Sequence, residues 1–162
     1  MHSISWQVLV TLKLKAVHLN KEDKMNNAII TIKSIQFDGT EKNVTEVITE
    51  GSFKETQEGF EIEYKETDAT GFQGSSTKLL HSQGKLHLIR SGSANSDLLI
   101  EADKKNYCLY GTPYGELTVG VMGKEVNSLI SSVGGKITAS YVLDINSAYV
   151  GDYEIELTVK LK

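Results

Sequence analysis

Period two governs this chain from residue 28 onwards. In FEIEYKE at 60–66, Phe60, Ile62 and Tyr64 share one side while Glu61, Glu63 and Lys65 share the other. In YEIELTVKL at 153–161, Tyr153, Ile155, Leu157, Val159 and Leu161 oppose Glu154, Glu156, Thr158 and Lys160. Successive side chains of an extended strand point to opposite faces, so each run reads as a strand with one dry and one wet side. Comparable runs lie near 28–37, 44–56, 75–81, 85–91, 97–102, 106–111, 116–123 and 136–145. The best helical candidate, GKEVNSLISS at 123–132, does not exceed two turns, contains β-branched residues and reads equally well as a strand end.

Short connectors join the runs. Asp38-Gly39, Glu58-Gly59, Gln83-Gly84, Asp103-Lys104 and Gly134-Gly135 carry hairpin chemistry, because glycine accepts positive φ and aspartate bonds to nearby backbone. Thr112-Pro113-Tyr114-Gly115 is a further turn, built on the only proline. Nearest-neighbour hairpins follow. The fold class is therefore all-β, a single antiparallel up-and-down barrel of about eight to ten strands, which hides both the apolar face and the strand edges. A sandwich is the alternative, and the long crossing loops it uses are not evident in the sequence.

At 162 residues the chain fits one domain, long enough to bury roughly two thirds of its unfolded surface. The net charge of −4 carries no basic block, which provides poorly for neutralising a phosphate backbone and argues against nucleic acid as a partner. Cys108 is alone, so no intramolecular disulfide forms, and a reducing cytoplasm suits it.

Residues 4–19, ISWQVLVTLKLKAVHL, look at first like an export signal or membrane anchor. Lys13 and Lys15 lie inside the run, no basic residue but His2 precedes it, and it falls short of the about 20 apolar residues of a spanning helix. Lys21-Glu22-Asp23-Lys24 can be encoded by AAG GAG GAU AAA, which contains the purine-rich AAGGAGG that bacterial ribosomes pair with, at a short spacing before Met25. The expectation is that residues 1–24 translate upstream DNA and that the natural start is Met25, with the barrel domain over 25–162. A genuine N-terminal strand or extension is the alternative. Starting at Met25 removes four lysines against two acids and leaves the chain more acidic.

Longer strings carry a resemblance. YKETDATGFQGSSTKLLHSQGKLHLIRSGSANSDLLIE, then YGTPYGELTVGV and GGKITASYVLDI, resemble the YwiB-like family of small bacterial proteins with a calycin-like, lipocalin-type β-barrel. The likeness covers residues 28–161, is strongest at IRSG (89–92), TPYGEL (112–117) and Tyr64-Lys65-Glu66, and family members start about where Met25 lies. It implies a closed barrel whose interior is either packed or holds a small molecule, and it carries over no activity.

The residues themselves single out Arg90, the chain's one arginine beside sixteen lysines. Alternation sets it on the apolar face of Leu86 and Leu88, where a guanidinium that cannot lose its proton needs fixed acceptors. Either it clamps the acid group of an amphipathic ligand, with Tyr64, Tyr110 and Tyr141 lining the apolar part, or it pairs with Glu66, which shares the face of Phe60, Ile62 and Tyr64. The polar loop DATGFQGSST at 68–77 lacks the lysine and spacing of a P-loop and reads as a rim loop whose Phe72 caps or plugs the mouth. The aromatic set Tyr107, Tyr110, Tyr114, Tyr141, Tyr149 and Tyr153 reads as core and rim packing. His81 and His87 come without an HxH or CxxC, so no metal and no cofactor is expected. His87 belongs on the exterior and Cys108 is a half-buried inert thiol. No spacing suggests catalytic residues, so an enzyme is not expected. The expected function is binding of a small amphipathic or acidic molecule in or at the mouth of the barrel, without membrane or nucleic acid. The alternative is a structural or protein-interaction module, dimeric in one version, with a filled interior.

Overall fold

The computed structural model describes residues 25–162, so the expectations for residues 1–24 lie outside the described residues. Ten strands follow in order: β1 Asn26–Phe37, β2 Lys42–Glu55, β3 Gly59–Lys65, β4 Ser75–Ser82, β5 Lys85–Gly92, β6 Ser96–Glu101, β7 Lys105–Thr112, β8 Gly115–Ser131, β9 Gly134–Ile145 and β10 Ala148–Leu161. A single 3-10 turn at Asp68–Thr70 interrupts the series among the described residues. Each strand pairs antiparallel with the next, and β10 returns to β1 along ten matched residues from Ala28–Leu161 to Phe37–Asp152. The sheet is closed and up-and-down, which removes the sandwich alternative and leaves no strand edge. Among the described residues no helix is long and apolar enough to cross a membrane.

GKEVNSLISS belongs wholly to β8 except for its last residue. Its helix-like look has a mechanical cause. The β8–β9 register shifts between Gly123 and Glu125, so Lys124 is an extra residue. Val119, Val121 and Gly123 face inward before this bulge, and Val126 and Ile130 after it, so the inward phase moves from odd to even numbers. A bulge re-aims the strand in this way, and the phase change breaks period two in the sequence. Gly123 also has to be glycine: an added Cβ would lie 1.8 Å from the Glu101 carbonyl oxygen. The β8–β9 turn is Ser132-Val133, with the expected Gly134-Gly135 already inside β9, and Gly59 likewise already opens β3. β9–β10, for which no turn is marked in the sequence, turns on Asn146-Ser147, whose φ of 51° and 66° mark a primed hairpin turn without glycine.

Cross-strand rows give the interior its layers. Phe60, His81, Leu86 and Ile100 are consecutive partners across β3 to β6, followed one row along by Ile62, Leu79, Leu88 and Leu98. Phe53 stacks on Phe60 at 5.4 Å, and Phe53, Ile62, Leu79, Leu86 and Ile100 are all but inaccessible. Each such side chain contributes about 1.5–3 kcal/mol by burial. This end of the barrel is solid. His81 is buried within it, stacks on Phe60 at 6.4 Å, and its Nδ1 has no hydrogen-bond partner.

One seam is weak. β6 and β7 share only the Ser96–Tyr110 ladder pair, whereas every other seam pairs five residues or more. Beyond it Gly111 N–H donates to Asn95 O at 2.8 Å, and at the far end Glu101 bridges Lys104. Between these points Leu99 N–H donates to the Cys108 Sγ at 3.3 Å instead of to a carbonyl. Cys108 is buried, 7% exposed, more so than the half-buried thiol expected; burial pushes its thiol pKa up, with the Leu99 N–H acting against that.

Two expectations follow. Cys108→Ala removes the sulfur acceptor of the Leu99 amide, so that amide should exchange with solvent faster than in the native chain in hydrogen-exchange measurements; unchanged exchange would show that the thiol contributes nothing to the seam. Burial lowers the His81 pKa below its ordinary value of about 6.5, so the unfolded chain binds the proton first. His81 therefore costs no stability above about pH 6.5, and stability falls as pH drops through that value towards the folded pKa. Urea midpoints at pH 8 and pH 5 should diverge more for the native chain than for His81→Leu.

Candidate functional site

The third row of the interior changes character. Tyr64, Thr77, Arg90, Ser96, Tyr110 and Leu117 are consecutive cross-strand partners from β3 to β8. The long strands change at the same height. Ile32 lies between Leu157 and Val47, but Ser34 lies between Ile155 and Thr45, and Gln36 between Tyr153 and Asn43. Ser34, Asn43 and Thr45 point inward by alternation and yet are exposed, because the interior here is hollow. The cavity measures about 530 Å³, inside the usual range of small-molecule sites. All six residues expected to form a site, Arg90, Glu66, Tyr64, Tyr110, Tyr141 and Phe72, lie on its wall.

Arg90 is partly engaged. Its Nε donates to Glu66 Oε1 at 3.2 Å, and its guanidinium carbon sits 3.7 Å from the centre of the Phe72 ring. The pairing with Glu66 expected from alternation is thus present, and Phe72 holds one face of the guanidinium. Nη1 reaches Ser96 Oγ only at 3.5 Å, and among the described residues Nη2 has no hydrogen-bond partner, while Arg90 lines the cavity. Among the described residues two of its five N–H donors are used, one of them at the limit of a hydrogen bond.

Glu66 is better satisfied. Its side chain is 1% accessible, against 17% for Arg90. Thr70 Oγ1 donates to Oε2 at 2.7 Å, and Thr77 Oγ1 donates to Oε1 beside the arginine. The loop at 66–74 makes this possible. Its 3-10 turn places Thr70 one turn from Glu66, and Gly71 at φ 79° carries the chain on to Phe72. The loop expected at 68–77 is shorter by its last three residues, which open β4.

The phenols supply neutral groups. Burial raises the Tyr64 pKa, the Glu66 charge raises it further, and Arg90 opposes both. Burial also raises that of Tyr141, followed by Tyr153, again with Arg90 acting against them. Both stay protonated at neutral pH; the Tyr64 hydroxyl bonds with Glu66 and Thr77, and Tyr141 can donate into the cavity. Tyr141 and Tyr153 are cross-strand partners and stack at 5.4 Å with 11° between planes. Tyr153, expected from the sequence only as core or rim packing, also lines the cavity. Tyr107, Tyr114 and Tyr149 are exposed and do not line the cavity, and His87 bonds Asp97 on the exterior. Among the described residues no group of three or more His, Cys, Asp or Glu side chains is placed to hold a metal ion.

Removing Arg90 leaves the Glu66 carboxylate buried with two hydroxyl donors and no counter-charge. Arg90→Met should destabilise the chain by about 3–5 kcal/mol, and Glu66→Gln/Arg90→Met should regain most of that loss. Urea denaturation of the three proteins measures both; equal stability of single and double variants would mean that Glu66 does not depend on the pair.

Comparisons place the geometry among known proteins. The family described as "Domain of unknown function (DUF1934)" matches residues 30–157. No curated protein matches the chain. The crystal structure of ywiB protein from Bacillus subtilis has the same fold, with a TM-score of 0.77 at 18% identity over 89% of this chain and 97% of that one.

Proposed function

The chain belongs to the DUF1934 family, and from that footing we propose that it binds a small amphipathic or acidic molecule inside the barrel, at its polar end. The supporting observation is the cavity of about 530 Å³ with Arg90 on its wall and part of the guanidinium facing in. Apolar surface comes from Leu88, Leu98 and Leu143, polar groups from Tyr64, Tyr141 and Ser96. Enclosed, mostly apolar space with a few fixed polar groups is the usual make-up of such sites. In this reading the barrel is calycin-like, a lipocalin-type container, and it works in the cytoplasm, where the Cys108 thiol stays reduced. Its task is holding, not chemistry.

A structural or protein-interaction module is the second reading. It is favoured by Arg90 already having Glu66 and Phe72, and by the exposed outer side chains Tyr107, Leu109 and Met122 on β7 and β8, which would suit a dimer.

Binding of 1-anilinonaphthalene-8-sulfonate, an amphipathic acid, separates the two. The native chain should take up one dye per barrel with increased fluorescence. Ser34→Trp, which fills the cavity from a position on β1, should weaken this by about tenfold or more, ~1.4 kcal/mol per tenfold. No dye binding, or binding indifferent to Ser34→Trp, would sink the container reading. Native mass spectrometry of gently purified protein should show a bound small molecule.

A further inference from the structure

The free edge of Arg90 restricts the ligand's chemistry. A guanidinium offers flat, forked pairs of N–H donors, and a carboxylate matches such a fork with two parallel hydrogen bonds. Glu66 takes the Nε side at 3.2 Å and Phe72 covers one face at 3.7 Å, which together fix the plane of the group. What remains is the end formed by Nη1 and Nη2, whose one hydrogen bond among the described residues is to Ser96 Oγ at 3.5 Å. Ser96 is the cross-strand neighbour of both Arg90 and Tyr110, so a hydroxyl and a phenol stand on the side of that free end.

The charge balance sets the ligand's charge. Arg90 is the only cation among the described residues lining the cavity, and no lysine joins it. Glu66 already shares its guanidinium. Asp97 and Glu154 also border the space, although alternation turns them outward and Asp97 is bonded by His87. A dianion would meet one shared positive charge and three carboxylates, and a buried charge without its own partner is costly. A single planar monoanion uses donors that are otherwise unspent. Next to it the parallel Tyr141–Tyr153 pair and the leucines Leu88, Leu98 and Leu143 offer a flat apolar wall.

We infer that the ligand is a monocarboxylic acid with a flat apolar body, its carboxylate set end-on against Nη1 and Nη2 of Arg90, and not a phosphate ester. This rests on the container reading above. Three compounds with one ring system test it: 1-naphthaleneacetate, 1-naphthaleneacetamide and 1-naphthyl phosphate, each titrated by calorimetry into the full chain at neutral pH. The acetate should bind about tenfold or more tighter than the amide and than the phosphate. In Glu66→Gln/Arg90→Met, which leaves no orphaned carboxylate, acetate and amide should converge to within about twofold while the amide still binds. Circular dichroism of the double variant shows that the barrel is intact; should it be unfolded, Arg90→Lys, which keeps the charge but loses the fork, must show the same narrowing.

The outcomes fall apart cleanly. If the three compounds bind alike, or the phosphate binds tightest, the monocarboxylate assignment is wrong and the container reading survives. An acetate preference that persists in the double variant also overturns it, because the acid group would then be held elsewhere. If none of the three binds and the sulfonate dye does not bind either, the container reading and the assignment fail together.

Discussion

Closure of the sheet is the constraint on which everything else depends. Pairing β10 with β1 over ten residues removes every edge and commits one face of all ten strands to a shared interior. Barrels of about eight strands are just wide enough for side chains to fill, and diameter grows with strand number. Ten strands therefore leave more room than ordinary side chains occupy. Where the rows carry Phe53, Phe60, Leu79, Leu86 and Ile100, large residues make up the difference. Where they carry Ser34, Thr45, Thr77 and Ser96, they do not, and the space stays open.

The Arg90–Glu66 pair sits at the boundary between those halves. Burying two opposite charges gains little over an apolar pair of the same shape, while removing one partner is costly. A fully satisfied pair would read as a structural tie. Here satisfaction is lopsided: Glu66 accepts from Thr70, Thr77 and Arg90, whereas Arg90 keeps donors facing the cavity. The two threonines and the 66–74 loop are what allow the carboxylate to be content without consuming the whole guanidinium.

The strands and most turns were legible because alternation and turn chemistry are local. Arg90 facing Glu66 was legible for the same reason, since both sit on the inward phase of runs with clean period two. Local signals failed at Lys124, where one extra residue reverses the phase, and at Asn146-Ser147, where a primed turn forms without glycine. Tyr153 escaped notice as a site residue because its place opposite Tyr141 depends on the β9–β10 register, which a further shift between Tyr149 and Gly151 sets. The weak β6–β7 seam could not be read at all: both runs alternate normally, and the missing ladder lies between them.

Division of the interior also divides its physical tasks. The apolar end carries the burial that holds the barrel closed, so the polar end is free to keep hydroxyls, phenols and part of a guanidinium out of internal bonds. In a fully packed core each such group would cost stability without return. The seam between β6 and β7 runs past both ends, anchored at Ser96–Tyr110 beside the cavity and at Glu101–Lys104 below it, with a thiol in place of a carbonyl between. The least firmly paired stretch of wall thus flanks the residues that face Arg90. The plug does not rest on this seam alone, because Phe53, Phe60 and Leu79 belong to strands whose ladders are unbroken.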